Sequence, residues 1–136
     1  MSYIDTFIKI APDSSATQAD VPTSNREPTP IHILQYQLLT ERPYFYDHDT
    51  LTFEVYVRRQ GFSAEELDAR HDEIWHDLFQ KGHPCMRASS LTKKYGWGAH
   101  YNDEGKIAIY PVDSDEYAHL SENAEQVLFA MRSTRA

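Results

Sequence analysis

The chain has 136 residues and a formal net charge of −8, with 21 acidic side chains against 13 lysines and arginines. This length predicts one domain, and a hydrophobic content of 40% is enough to build one core. The charge argues against a general nucleic-acid binder and against an anionic membrane surface as partner. The single cysteine, Cys85, allows no intrachain disulfide, and no secretory signal is visible, so we expect a cytoplasmic protein.

The N-terminal part of the sequence predicts a strand followed by a long loop. Alternation of Ile4, Ile8 and Ile10 with polar residues predicts a strand over residues 3–10, which Pro12 ends. Residues 11–30 are rich in proline, serine and threonine, and they predict a long polar loop with Val21 as its tether.

Two segments that follow predict helices with different clarity. Proline at position 30 and apolar residues at helical spacing predict a helix that starts near Thr29 and stops before Pro43. Residues 51–59 are ambiguous, because their apolar residues alternate as in a strand. Their flanking charges nevertheless have helix polarity, with acids before and bases after, so we favour a buried helix.

The most distinct helix is predicted over residues 63–81. Ser63 and Glu66 form a capping box, and Gly82 follows the last turn. One stripe at helical spacing consists of Leu67, His71, Ile74, Trp75, Leu78 and Phe79. The tail predicts one or two short helices, with Ser114 and Ser121 as caps and an apolar stripe of Val127, Leu128 and Met131.

Residues 95–110 predict a hairpin whose turn specifies the register. The turn at residues 102–105 ends in Gly105, which suits a type I turn with a bulge. The predicted opposed pairs are Tyr101 with Ile107, Ala99 with Ile109, and Trp97 with Pro111. Trp97 then lies on the core face. The other face carries Lys94, Gly96, Gly98, His100, Lys106, Ala108 and Tyr110. The predicted fold is α+β, with a small antiparallel sheet of about three strands packed against several helices.

The segment 87–100 is the best candidate for a binding site. No acidic residue occurs between Lys81 and Asn102 although the chain as a whole is acidic. Cations, hydroxyls and open glycine backbone could together bind a small anion. The proposed ligand-binding residues are Arg87, Ser89, Lys93, Lys94, Gly96, Gly98, His100 and Tyr110. In the alternative interpretation, which we favour, the cations pair with the acidic helix and the long loop packs on the glycines.

Other functional hypotheses have weaker sequence support. An enzyme could use His100 or Cys85 with Tyr110 as acid–base partners, and His83 lies two residues before Cys85. The outer sheet face and an edge strand could pair with a second copy in a homodimer. Asp72 and His76 are four residues apart and could face one ion, but no spacing matches a known metal-binding motif. No metal is therefore predicted, and any cofactor stays unknown.

Several stretches resemble one known protein family. They are MSYIDTFIKIAPD, LQYQLL with Pro43-Tyr44, PCMRASSLTKKYGWGAH, GKIAIY and the closing AMRS. Together they resemble domain of unknown function 6157, a microbial family, across essentially the whole chain. Ser90 stands where that family suggests proline, and Met86 where it suggests leucine. The resemblance implies a soluble protein of unknown role, and it supports a helix at residues 49–60.

Overall fold

The structure, a computed structural model, describes residues 3–133 as five helices and a four-stranded sheet. Their order is β1 (Thr6–Lys9), α1 (Ile31–Glu41), α2 (His48–Gln60), α3 (Ala64–Leu78), a 3-10 turn (Met86–Ala88), α4 (Ser90–Lys93), β2 (Trp97–Tyr101), β3 (Ile107–Pro111), α5 (Asp115–Asn123) and β4 (Gln126–Phe129). The α+β prediction is confirmed. Among these residues, no helix is both long enough and apolar enough to cross a membrane.

The sheet has four strands in the order β3-β2-β1-β4, of which the first three are antiparallel neighbours as predicted, whereas the parallel strand β4 was not predicted. β1 runs antiparallel to β2 and parallel to β4. The apolar stripe predicted as a tail helix belongs largely to β4, where the backbone pairs with β1 and Leu128 packs on the core. Its other members, Val127 and Met131, are 37% and 52% exposed.

The predicted hairpin register is confirmed. Tyr101 pairs with Ile107, Ala99 with Ile109, and Trp97 with Pro111. Gly105 has a φ of 76°, the left-handed conformation that the bulge requires. The face bearing Trp97 packs into the main core together with α1 and α2.

The alternating apolar residues of α2 are explained by two buried faces of one helix. Leu51 and Val55 lie four residues apart and enter the main core. Phe53 and Val57, also four apart, enter a second cluster with α3. A helix packed on two sides therefore reproduces the alternation of a strand, and the preference for a helix is confirmed.

Helix α3 begins as predicted and ends earlier than predicted. The Ser63 capping box is present, but the helix ends at Leu78 instead of residue 81. Of the predicted stripe, Ile74 and Leu78 are buried, whereas His71 is exposed. At the tail, Ser114 caps α5 as predicted. Ser121 caps no helix, because it lies inside α5 and its hydroxyl donates to the Tyr117 carbonyl.

The long loop at residues 11–30 is held by its backbone around Trp97. The Trp97 indole Nε1 donates to the Asp20 carbonyl at 2.9 Å, and the Asp20 N–H donates to the Tyr95 carbonyl at 2.9 Å. A β-carbon on Gly96 would lie 2.5 Å from the Gln18 carbonyl oxygen. Val21 is 58% exposed, so it is not the tether. The loop packs on this glycine, as the favoured alternative expected. The other part of that alternative is wrong, because within residues 3–133 none of Arg87, Lys93 and Lys94 forms an ion pair with the acidic helix.

Gly98 is covered by aromatic side chains on the face of the sheet opposite to Trp97. A β-carbon there would lie 2.5 Å from Phe7 Cζ and 2.7 Å from Tyr117 Cε2. Both rings are buried, and they meet edge to face at 5.0 Å. The Tyr117 hydroxyl also accepts a hydrogen bond from the Ile10 N–H at 3.0 Å. The glycine is therefore a packing requirement of α5 against the sheet.

We predict that Gly98→Ala lowers the free energy of unfolding by about 1–3 kcal/mol, because the added methyl group must displace two buried rings. Urea denaturation measures the change. Gly82→Ala is the matched control, since a β-carbon at that position meets nothing within 4 Å. Equal stability of the two variants would show that Gly98 does not need to be small.

Candidate functional site

A cleft of about 340 Å³ lies where α1, α2, the end of α3 and the segment 83–90 meet. We refer to it as the α1–α2 cleft. Its lining is mostly apolar with a few polar side chains, which is typical of small-molecule sites. The lining residues are Ile31, His32, Gln35, Thr52, Val55, Tyr56, Arg59, Gln60, Leu78, His83, Pro84, Cys85, Ala88, Ser89 and Ser90.

One face of α2 forms a wall of the cleft. Thr52, Val55, Tyr56 and Arg59 follow the spacing i, i+3, i+4 and i+7, so their side chains lie on the same side of the helix. This face lies between the two that enter the hydrophobic clusters. The same packing that buries α2 therefore aims Arg59 into the cleft.

Arg59 is the cation of the cleft. It is half-buried, and its Nε donates to the Thr29 carbonyl at 3.0 Å. Within residues 3–133, no carboxylate lies within 4.0 Å of its guanidinium. The neighbouring Arg58 is exposed and donates instead to Glu54 at 2.9 Å. The two arginines differ in surroundings although they are adjacent in sequence.

His32 also lines the cleft, and two further cations lie near it. Its ring stacks on Tyr95, with centroids 5.2 Å apart and planes 20° apart. Burial lowers the pKa of His32, and the positive charges of Arg26 and Lys94 lower it further. A lowered pKa leaves the ring neutral at pH 7. The cations around His32 would favour a negatively charged ligand nearby.

Several polar side chains of the remaining walls are already paired. Ser89 Oγ donates to Gln35 Oε1 at 2.6 Å and accepts from the Leu91 N–H at 3.2 Å. His83 Nε2 donates to the Leu78 carbonyl at 2.6 Å. Cys85 is half-buried, with its Sγ 4.0 Å from the Tyr3 hydroxyl.

The eight predicted ligand-binding residues do not converge on one surface. Ser89 lines the α1–α2 cleft. Lys94 is exposed, and it lies close enough to His32 to lower the pKa of that ring. Gly96 and Gly98 are covered by protein atoms, so no open glycine strip exists for a ligand. Lys93 is the half-buried last residue of α4.

Arg87 stabilises the outer edge of the sheet. Its Nε donates to the Phe129 carbonyl at 2.9 Å, and its own carbonyl accepts from the Met131 N–H at 2.8 Å. Phe129 is the last residue of β4, and Met131 follows it by two positions. Arg87 therefore satisfies backbone groups that an edge strand would otherwise expose, which is a structural task.

His100 and Tyr110 lie on the α5 side of the sheet, with Tyr44 between them. The Tyr44 hydroxyl is 2.8 Å from His100 Nδ1 and 2.8 Å from the Tyr110 hydroxyl. Burial and the hydrogen bond to Tyr110 raise the pKa of Tyr44. Burial lowers the pKa of His100, and the negative charge of Asp5 opposes that shift. Tyr44 and His100 are thus held neutral, and Cys85 lies apart from this network in the α1–α2 cleft.

Sequence reasoning missed Arg59, His32 and Tyr44. In the sequence, Arg59 indicates only the polarity of a helix, because the faces of α2 cannot be assigned as long as residues 51–59 fit both a strand and a helix. The spacing of Thr52, Val55, Tyr56 and Arg59 would have indicated the cleft wall once the helix was accepted. Tyr44 contacts residues more than fifty positions away, and no local pattern indicates that.

Within residues 3–133, no group of three or more histidine, cysteine, aspartate and glutamate side chains could hold a metal ion. Neither a curated protein nor a solved structure matches the chain. The profile of DUF6157, a family of unknown function, matches residues 1–136. The match spans the entire sequence, so the chain belongs to the DUF6157 family.

Proposed function

We propose that this protein binds a small anionic ligand in the α1–α2 cleft, with Arg59 as its anchor. The observation that carries the proposal is a half-buried guanidinium in a concave, largely apolar site without a carboxylate partner in residues 3–133. Hydrogen bonds from a guanidinium to an anionic oxygen are stronger than neutral ones, and a site with little water strengthens them further.

The distribution of charge along the chain supports this location. The acid-free segment between Lys81 and Asn102 contributes six residues to the cleft lining, namely His83, Pro84, Cys85, Ala88, Ser89 and Ser90. Since that wall has no carboxylates, it does not neutralise Arg59. The proposal therefore keeps the anionic ligand expected from the sequence and moves its site from the glycine strand to the cleft.

Arg59→Gln tests the anchor. We expect the dissociation constant for benzoate or sulfate to rise by about tenfold or more, because a charged hydrogen-bond donor is lost. Isothermal titration calorimetry measures it. Arg58→Gln is the matched control and should change the affinity less than about twofold, since Arg58 faces Glu54 on the exposed side. If neither anion binds the wild-type protein, or if both variants bind alike, the proposal is wrong.

The affinity for benzoate should rise as the pH is lowered from about 8 to about 6. In the free protein, burial, Arg26 and Lys94 hold the pKa of His32 below 6.5. A bound anion offsets these positive charges and raises that pKa, so the complex takes up protons that the free protein does not. Titrations in buffers of different ionisation enthalpy measure the uptake. His32→Gln should abolish the pH dependence, and its persistence in that variant would assign the proton to another group.

The homodimer and enzyme hypotheses have less support. Both edges of the sheet are partly covered, β4 by Arg87 and β3 by residues 44–46, whose backbone exchanges hydrogen bonds of 2.9 Å with Ile107. In the network of His100, Tyr44 and Tyr110, the pKa of Tyr44 is raised and the pKa of His100 is lowered. Such groups position one another better than they transfer protons near pH 7.

A further inference from the structure

We infer that the ligand of the α1–α2 cleft is a monocarboxylate with a linear apolar tail. Its carboxylate would lie at Arg59, and its tail would run toward Cys85. This inference rests on the proposed anion binding and adds the chemical class of the ligand and its orientation.

The cleft has two distinguishable ends. Thr52 and Arg59 are seven residues apart on one helix face, which corresponds to about 10 Å along the axis. Arg59 bonds to Thr29, next to the start of α1, so this end contains His32. At the other end, His83 lies close enough to His48, the first residue of α2, for their charges to interact.

Polarity changes from one end to the other. The Arg59 end also contains His32, on which the positive charges of Arg26 and Lys94 act. Toward the far end, His83 bonds to the Leu78 carbonyl, and Pro84, Cys85 and Ala88 complete the lining. The far end is therefore suited to apolar groups, and the near end to one negative charge.

The pairing of the polar side chains also favours an apolar tail. Gln35 is bonded to Ser89, and the Thr52 hydroxyl donates to the His48 carbonyl at 2.7 Å. The hydroxyls of a sugar or a nucleotide would have to compete with these two hydrogen bonds. A polyphosphate would find a single arginine in the lining.

A series of straight-chain acids tests the class of ligand. We expect the affinity to increase from butanoate to hexanoate to octanoate, by about fourfold for each methylene that is buried. Octanol lacks the charge and should bind at least about tenfold more weakly than octanoate. Calorimetry on the full chain gives the dissociation constants.

Cys85 reports the orientation of the tail. It is the single cysteine of the chain, so iodoacetamide labels one thiol. Bound octanoate should slow that labelling, whereas butanoate at the same saturation should not. Ala88→Leu fills the far end and should weaken octanoate more than butanoate. Equal weakening of both acids, or labelling unaffected by octanoate, would contradict the orientation.

The outcomes separate this inference from the proposed function. If sulfate and butanoate bind as tightly as octanoate and Arg59→Gln weakens all three, the anion site stands and the apolar tail is wrong. If octanol binds as tightly as octanoate, or if no anion binds, the anion site itself is wrong and the inference falls with it. Arg59→Gln should reduce octanoate binding to the level of octanol. Its urea midpoint is compared with that of wild type, so that loss of folding is recognised.

Discussion

Strand β2 is packed on both faces, and the rest of the structure depends on that packing. Trp97 points toward α1, meets the Tyr36 ring at 5.3 Å and fastens the long loop through the Asp20 carbonyl. Gly98 points the other way and lets Tyr117 of α5 approach the backbone. With a tryptophan next to a glycine, the strand buries an indole ring on one face and accommodates a helix on the other. The alternation of strand side chains makes both contacts possible at consecutive positions.

The position of the cleft follows from this arrangement through α1 and α2. α1 covers the Trp97 side of the sheet, and α2 packs on α1. α2 enters the main core with one face and the α3 cluster with another. The face between them shares Val55 with the main core and Tyr56 with the α3 cluster, and it carries Arg59. The cleft is therefore a consequence of one helix joining two hydrophobic clusters.

Local features of the fold could be predicted from the sequence, and distant ones could not. The hairpin register follows from the turn chemistry and from two adjacent apolar patterns. β4 could not be found in this way, because its pairing with β1 joins residues about 120 positions apart and its apolar spacing also fits a helix. The candidate site depends on such distant contacts. Arg59 donates a hydrogen bond to the carbonyl of Thr29, which lies just before α1 and thirty residues away in sequence. The charge of Arg87 made it a candidate ligand-binding residue, but its side chain donates to the Phe129 carbonyl at the edge of the sheet.

A crystal structure of the protein with octanoate would test the central claim most directly. We expect electron density for the carboxylate within about 3 Å of the Arg59 guanidinium, with the tail extending toward Cys85. A carboxylate bound elsewhere with the α1–α2 cleft empty would show that the proposed binding mode is wrong. So would a ligand in the cleft with its charged end at Cys85.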